Sequence, residues 1–194
     1  MGWTTQRIGK VVAVWLVQVW FIQLLLFQDC AAAETPQHAP SGIDAIWAYA
    51  GTWKTETERF NTAHSKAGHE AATLKNVCWK NGGYLACNQY VDGDSKTLLV
   101  FTYDSKDHTY TSYPIPLDGQ PAGKGRLLIE GNVWTFPWQI QEGDKTTWYR
   151  VVNVFASPDR IEFRQEFSED NAHWTVMARG VDARTGSGSQ APSQ

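Results

Sequence analysis

The stretch CWKNGGYLAC, residues 78–87, carries two cysteines placed symmetrically about an Asn-Gly-Gly turn sequence. A two-residue hairpin turn centred on Gly82 and Gly83 places Cys78 directly opposite Cys87. That pair falls on a non-hydrogen-bonded position, where Cα atoms approach to about 4.5 Å and a disulfide bond is geometrically allowed. A turn centred one residue earlier would set the cysteines diagonally, about 7–8 Å apart. The sequence thus predicts a hairpin with a disulfide, and two free buried thiols are the alternative.

On both sides of this hairpin, the chain after Gly51 repeats short strand patterns separated by turns rich in Gly, Asn, Asp and Ser. A meander of sequential hairpins is most easily closed into a barrel, which removes the exposed sheet edges. We therefore predict an all-β fold, an antiparallel up-and-down barrel over residues 42–185, with a two-sheet sandwich as the alternative. The ten candidate strands are residues 51–60, 68–80, 84–92, 96–104, 108–115, 124–130, 133–141, 146–156, 160–168 and 173–182.

A short N-terminal helix is predicted over residues 42–49, because apolar residues recur at i, i+3, i+4 and i+7 from Ile43 and Ser41 can cap the helix. We expect this helix to plug the barrel or pack against it. Residues 34–41 and 186–194 are rich in Pro, Ser, Gly and Gln. They have little to bury, so we interpret them as a flexible linker and a disordered tail.

Residues 1–33 have the organisation of a signal peptide. Arg7 and Lys10 form a basic region before the apolar run of residues 11–27, and three alanines offer a cleavage site. Cleavage there predicts a periplasmic or secreted protein that has no membrane partner. An uncleaved anchor is the first alternative, since the run is near the minimum length for a bilayer span. A lipoprotein acylated at Cys30 ranks last, because an aspartate precedes that cysteine.

Charge and cysteine count restrict the function further. The chain carries a net charge of −3, and loss of the leader makes it more negative, which argues against a nucleic-acid partner. Removing 33 of the 194 residues leaves 161, a length that suits one domain. Two cysteines remain, and an even count in an exported protein is typical of a disulfide.

Strand periodicity also assigns side chains to the two faces of the barrel wall. We expect the apolar sets to point inward and the charged residues between them to face water. In the first strand, Thr55 and Thr57 share the inner face with Trp53, so this face is of mixed polarity. The apolar sets are Trp134, Phe136, Trp138 and Ile140, and Ile161, Phe163, Gln165 and Phe167.

No catalytic motif is present in the sequence. It contains no Gly-x-Ser-x-Gly, no His-Glu-x-x-His, no glycine-rich phosphate loop and no Cys-x-x-Cys. His64 and His69 flank a loop but lack the further ligands that a zinc site needs. We therefore predict no metal site, no cofactor and no catalytic residue.

Arg150 is the most informative charged residue, since it shares one side of its strand with Trp148, Val152 and Val154. If that side faces inward, the buried cation needs an anionic partner, which is either a ligand carboxylate or a structural ion pair. Most of the tryptophans after the leader are expected in the core. The candidate ligand-binding residues are Arg150, Trp53, Trp134, Trp138 and Tyr103.

Several short motifs together span nearly the whole mature chain in a recognisable order: Gly51-Thr52-Trp53-Lys54, Cys78-Trp79 with Gly82-Gly83 and Cys87, Tyr103-Asp104, Gly131-Asn132-Val133-Trp134, and Ser168-Glu169-Asp170 before Trp174. This order resembles the bacterial exported proteins grouped as domain of unknown function 1579, with a fold similar to the lipocalin and nitrobindin barrels of the calycin type. The resemblance implies a closed barrel with room for a ligand, and it brings no established activity.

The leading functional hypothesis is an exported protein that binds a small apolar or amphipathic molecule inside the barrel. An isomerase-like or cyclase-like enzyme is an alternative, for which Arg150, Tyr103 and Asp104 are the first residues to consider. Haem binding is a second, because nitrobindin-like relatives hold haem through a histidine and His173 is the nearest candidate by position. A packed interaction domain is the third.

Overall fold

The structure is a computed structural model that describes residues 42–119 and 123–187. The predicted signal peptide, the linker with Ser41, and residues 188–194 lie outside the described residues. None of the helices within the described ranges is long and apolar enough to cross a membrane.

The described chain forms one closed antiparallel barrel of ten strands, so the predicted all-β barrel is confirmed and the sandwich is wrong. Each strand pairs with its neighbours in sequence, and β1 pairs with β10 to close the wall. The last strand continues to Ser187, two residues into the predicted tail. The strands are β1 (Gly51–Arg59), β2 (Gly68–Asn81), β3 (Tyr84–Val91), β4 (Asp94–Asp104), β5 (Thr109–Pro116), β6 (Gly125–Glu130), β7 (Val133–Glu142), β8 (Lys145–Ser157), β9 (Arg160–Ser168) and β10 (Thr175–Ser187).

The β2–β3 hairpin has the predicted register. Cys78 lies directly opposite Cys87, and the two sulfur atoms are bonded at 2.09 Å. Gly82 takes the first central position of the turn with a φ of 56°, a conformation that favours glycine. The disulfide prediction is confirmed, and a bond of this kind is typical of an oxidising, extracytoplasmic environment.

The predicted short helix is present as a 3₁₀ helix, Gly42–Tyr49, at the end of the barrel where β1 begins. Ile46, on the inner side of this helix, is completely buried in the core. The Tyr110 hydroxyl donates to the Gly42 carbonyl at 2.9 Å, which fastens the start of the helix to β5. At its other end, the Tyr49 carbonyl accepts hydrogen bonds from two strand side chains, Trp53 Nε1 at 3.2 Å and Asn76 Nδ2 at 3.1 Å.

Arg184 on β10 holds the C-terminal end of the helix in place. Its guanidinium donates to the carbonyl oxygens of Ala48 and Ala50, which have no partner within the helix. It also lies over the Trp53 ring, 4.0 Å from the ring centroid, and forms an ion pair with Asp159 at 3.1 Å. One planar cation thus joins the helix, β1 and the β8–β9 turn.

The helix and the wall around it form a packed hydrophobic core, and we call this part of the molecule the closed half. Its side chains come from the inward positions of nearly every strand, so that they fill the barrel at this end. The largest fully buried members are Trp53, Phe101, Ile46, Leu85, Leu127 and Ile161.

The opposite end, which we call the open half, has an interrupted wall. Strand β6 is short and forms three residue pairs with β5 and three with β7, whereas β7 forms ten with β8. The C-terminal parts of β5 and β7, after Ser112 and Thr135, are therefore not paired with β6. Pro114, Pro116 and Pro137 lie on these edges. Proline has no N–H to donate to a ladder and is typical of such edges.

Candidate functional site

The open half encloses a cavity of about 620 Å³. Both apolar and polar side chains line it, and most strands contribute alternate, inward positions. The apolar lining includes Leu74, Leu99, Phe101, Phe136, Val151 and Phe163. The polar lining includes Thr55, Asn76, Gln89, Ser112, Asn153, Gln165 and Asp182.

The floor of this cavity is built on the last residue of the 3₁₀ helix. Asn153 Nδ2 donates to the Tyr49 hydroxyl, and Asn76 Oδ1 accepts from Gln89 Nε2 at 3.4 Å while its Nδ2 holds the Tyr49 carbonyl. Desolvation, and to a smaller extent the nearby Asp182 carboxyl, raise the pKa of the Tyr49 hydroxyl far above its ordinary value. The phenol therefore remains neutral.

Asp182 adds an ionisable group to the floor. It is only 9% exposed, lies directly opposite Thr55 in the β1–β10 register, and lines the cavity. Burial raises the pKa of its carboxyl, and the Thr55 hydroxyl offsets part of that effect. No hydrogen bond of normal geometry forms between them, since Asp182 Oδ1 and Thr55 Oγ1 are both buried without a partner.

Aromatic side chains form the rim above the floor. Trp138 on β7 stacks on Tyr149 of β8, with ring centroids 5.4 Å apart and planes 12° apart. The Tyr149 hydroxyl is 3.1 Å from His64 Nδ1, and the His64 ring packs on Phe167 at 4.5 Å. The β1–β2 loop, which carries His64, therefore folds onto the rim.

Exposed apolar side chains gather beside the wall interruption. Leu117 is 70% exposed, Ile140 46%, Trp138 43% and Tyr113 36%. These are all the exposed large hydrophobic residues of ranges 42–119 and 123–187, and each lies on β5, on β7 or in the turn after β5. The interruption thus joins the cavity to an apolar surface.

Arg150 lies on the outer face of β8, so the inward orientation on which its ligand role depended is wrong. Its neighbour Val151 takes the cavity position instead. Arg150 forms an ion pair at 2.5 Å with Glu166, which also binds Arg164 at 2.9 Å. The guanidinium lies under the Trp174 ring, 3.9 Å from its centroid. The anionic partner of Arg150 is therefore Glu166, in a structural ion pair.

Among the other candidate ligand-binding residues, only Trp138 lines the cavity. Trp53 and Trp134 are almost completely buried in the closed half. The Tyr103 hydroxyl lies 2.8 Å from His108 Nδ1 in the same half. Asp104 accepts a backbone hydrogen bond within the β4–β5 turn, so it does not reach the cavity either.

His173 lies on the surface, in the β9–β10 connection, with its side chain 91% exposed. Its Nδ1 is 2.6 Å from the Asp170 carboxylate, and this contact raises the pKa of the imidazole and lowers the pKa of Asp170. In the part of the chain that the structure describes, no three His, Cys, Asp or Glu side chains are grouped as metal ligands.

A second concavity, of about 810 Å³, lies on the outer surface over β1, β2, β9 and β10. It is shallower than the barrel cavity, and five of its charged residues are already in ion pairs. Because most of its charged residues already have partners, we do not take it as the candidate site. These five residues are Glu58, Glu70, Glu162, Arg164 and Arg179.

The polar floor was not predicted from the sequence. On β8, Asn153 has apolar residues on both sides, so alternation does not tell which face is inner. On β10, a register shift between Val176 and Ala178 breaks the period-two pattern before Asp182. The sequence does show isolated polar residues within strands. It does not show which of these residues lie together at the cavity floor.

The sequence matches no family model, and no curated protein is significantly similar to it. The closed ten-stranded antiparallel barrel is consistent with a calycin-like fold.

Proposed function

We propose that this protein binds a small apolar or amphipathic molecule in the cavity of the open half. The observation that carries the proposal is a cavity of about 620 Å³ with an apolar wall and a polar floor. Ligand sites in proteins commonly measure about 300–1,000 Å³ and combine an apolar lining with a few polar groups.

The arrangement of the lining favours an amphipathic ligand. Phe136, Phe163 and Leu99 supply apolar wall, whereas Asn153 and Asp182 lie at the floor. An apolar body would displace water from the wall and gain about 25 cal/mol for each Å² of apolar surface that it buries. A polar group on the same molecule would form hydrogen bonds with the polar side chains of the floor.

The interrupted wall between β5 and β7 supports an entry route. Trp138 and Ile140 are partly exposed there, and Trp138 also lines the cavity. An exposed apolar group beside a cavity commonly marks a binding surface. We infer that ligands enter past Trp138, which stacks on Tyr149 at the rim.

Export completes the proposal. The disulfide is typical of oxidising compartments, and the predicted leader favours a periplasmic or secreted protein. We retain the resemblance to domain of unknown function 1579 as part of this proposal, on the motifs that carry it. The closed barrel agrees with that resemblance.

The proposal is tested by titration with N-phenyl-1-naphthylamine, a neutral probe that fluoresces in apolar surroundings. We expect saturable binding of one probe per chain. Val151→Phe should weaken it, because the larger ring occupies cavity volume. Val154→Phe is the matched control, since Val154 lies on the same strand and lines the outer concavity.

Three results would contradict the binding proposal. Absence of saturable binding to the wild-type chain removes it. If Val151→Phe binds the probe as tightly as the wild-type chain does, the probe binds outside the barrel. Loss of binding in Val154→Phe alone assigns the probe to the outer concavity.

An enzyme remains the second candidate, because polar groups do converge inside the barrel. Asp182 and Tyr49 are both at the floor, and a buried carboxyl with a raised pKa is suited to proton transfer. The test is mass spectrometry of cavity-bound molecules recovered after long incubation. Unchanged molecules favour binding alone, and a product that Asp182→Asn fails to form favours the enzyme.

A further inference from the structure

We infer that the ligand of this cavity carries a protonated amine, which the Asp182 carboxylate binds at the floor while an apolar body occupies the wall. The inference rests on the proposed function, because it names the chemical class of the molecule that the cavity takes. It depends on a buried acid that forms no ion pair with any residue that the structure describes.

The first argument is the isolation of Asp182. The side chain is 9% exposed and one of its oxygens is fully buried without a hydrogen bond. A buried carboxylate is costly unless it is paired, since it loses its hydration. The structure compensates other buried acids: Glu166, at 6% exposure, contacts both Arg150 and Arg164. Asp182 forms no such pair within the described part of the chain.

The second argument is the distribution of cations around the cavity. Lys124 and Arg126 are its only basic lining residues within the described ranges, and both are exposed at the start of β6. Strands β7, β8 and β9 separate them from β10 along the shorter path around the wall. Arg184, two residues beyond Asp182, is committed to the helix carbonyls and Asp159. Among residues 42–119 and 123–187, no cation is therefore placed to pair with Asp182, and we assign the counter-charge to the ligand.

The third argument is the hydrogen-bonding character of the floor. Asn153 and Asn76 each donate one amide N–H to Tyr49, and the carbonyl oxygen of each side chain is an acceptor at the floor. Asn76 Oδ1 already accepts from Gln89 at 3.4 Å, a long bond. The floor thus presents a carboxyl and amide oxygens, which suit an ammonium group with three donors.

The fourth argument is what this floor excludes. An anionic ligand such as a fatty acid would bring its carboxylate next to Asp182, and two like charges at short range in a dry site repel each other. A neutral alcohol could donate one hydrogen bond without supplying a charge. The expected order of affinity is therefore amine, then alcohol, then carboxylate.

Three molecules of equal chain length test this order: octylammonium, octanol and octanoate. Each is titrated against the bound N-phenyl-1-naphthylamine, and displacement gives its affinity. We expect octylammonium to bind about tenfold or more tightly than octanol, since a hydrogen bond to a charged partner contributes more than a neutral one. Octanoate should be the weakest.

Asp182→Asn is the decisive variant, because it keeps the shape of the side chain and removes its charge. Octylammonium should lose its advantage over octanol, while octanol and the probe bind as before. Asp144→Asn is the control, since Asp144 lies in the β7–β8 turn at the open end and outside the cavity lining. It removes the same charge and should leave the order unchanged.

The outcomes separate the two proposals. Displacement by octanol with no preference for octylammonium overturns the amine inference and leaves the binding function standing. Retention of the preference in Asp182→Asn overturns it too, as does an equal loss in Asp144→Asn, which points to general attraction by an acidic protein. Absence of probe binding to the folded wild-type chain overturns the binding function itself.

Discussion

The two halves of this barrel are built from the same ten strands but are filled in different ways. In the closed half, inward positions carry large residues such as Trp53 and Leu127, and a 3₁₀ helix fills the remaining space. In the open half, the inward positions of β1, β2 and β10 carry Thr55, Asn76 and Asp182, which do not fill the barrel. The difference indicates that one end stabilises the fold and the other is available for binding.

The largest expected effect on stability comes from truncating a buried side chain in the closed half. Leu127→Ala, at a residue that is 1% exposed, should lower the free energy of unfolding by about 2–5 kcal/mol through lost burial and a new cavity. Leu99→Ala is the matched change in the open half, where the side chain already borders empty space. It should cost clearly less. Urea denaturation measures both, and equal losses would contradict the division into two halves.

Removal of the disulfide should be the next largest effect. The bond closes a short loop, since the sequence separation of Cys78 and Cys87 is 9, and a chain-entropy account expects about 2.5 kcal/mol of stabilisation. A variant with both cysteines changed to alanine should unfold at lower urea concentration by this amount. Thiol titration of the unfolded wild-type chain should find no free Cys78 or Cys87 without reductant, and two free thiols there would contradict the bond.

A smaller effect is expected from Arg184→Lys. Lysine keeps the charge but cannot reproduce the planar fork that joins Ala48, Ala50 and Asp159. Loss of hydrogen bonds from a partly buried charge should cost about 1–3 kcal/mol. Arg179→Lys is the control, because its pair with Glu58 is exposed and should matter by under about 1 kcal/mol. Similar costs in thermal or urea unfolding would show that the helix does not depend on Arg184.

The smallest effect on stability is expected from Asp182→Asn, and its sign is opposite to the others. Burial raises the pKa of this carboxyl in the folded state, so the folded chain holds the proton more tightly than the unfolded chain does. Asp182 therefore penalises folding as the pH rises above the ordinary aspartate pKa of about 3.9. Asp182→Asn should be the more stable form at neutral pH, with the gap closing in acid.

Unfolding measured from pH 3 to pH 8 for both chains checks that sign. A gap that widens toward acid would mean that the carboxylate is stabilised in the folded chain. The isolated floor, and with it the proposed site for a cation, would then be wrong.

Sequence periodicity predicted the wall of this molecule well. The turns built on Gly82 and Gly131 set the register of their hairpins, and alternation on β7 and β9 placed Trp134, Phe136 and Phe163 inward. These features are local, because each depends on residues that are close in the chain.

The contents of the barrel could not be predicted in the same way. The sequence makes Arg150 a candidate because it shares one side of β8 with apolar residues. Only the β8–β9 register shows that Glu166 is its partner. The floor brings together Tyr49, Asn153 and Asp182 from three distant parts of the chain. Such convergence depends on closure of the whole barrel, which no single strand pattern contains.

The most direct test of the account is a crystal structure of the protein grown with saturating octylammonium. The account predicts one molecule inside the open half, its chain against Phe136 and Phe163 and its nitrogen within hydrogen-bond distance of Asp182. An open half filled by protein side chains, or octylammonium bound only over the outer surface of β1, β2, β9 and β10, would contradict it.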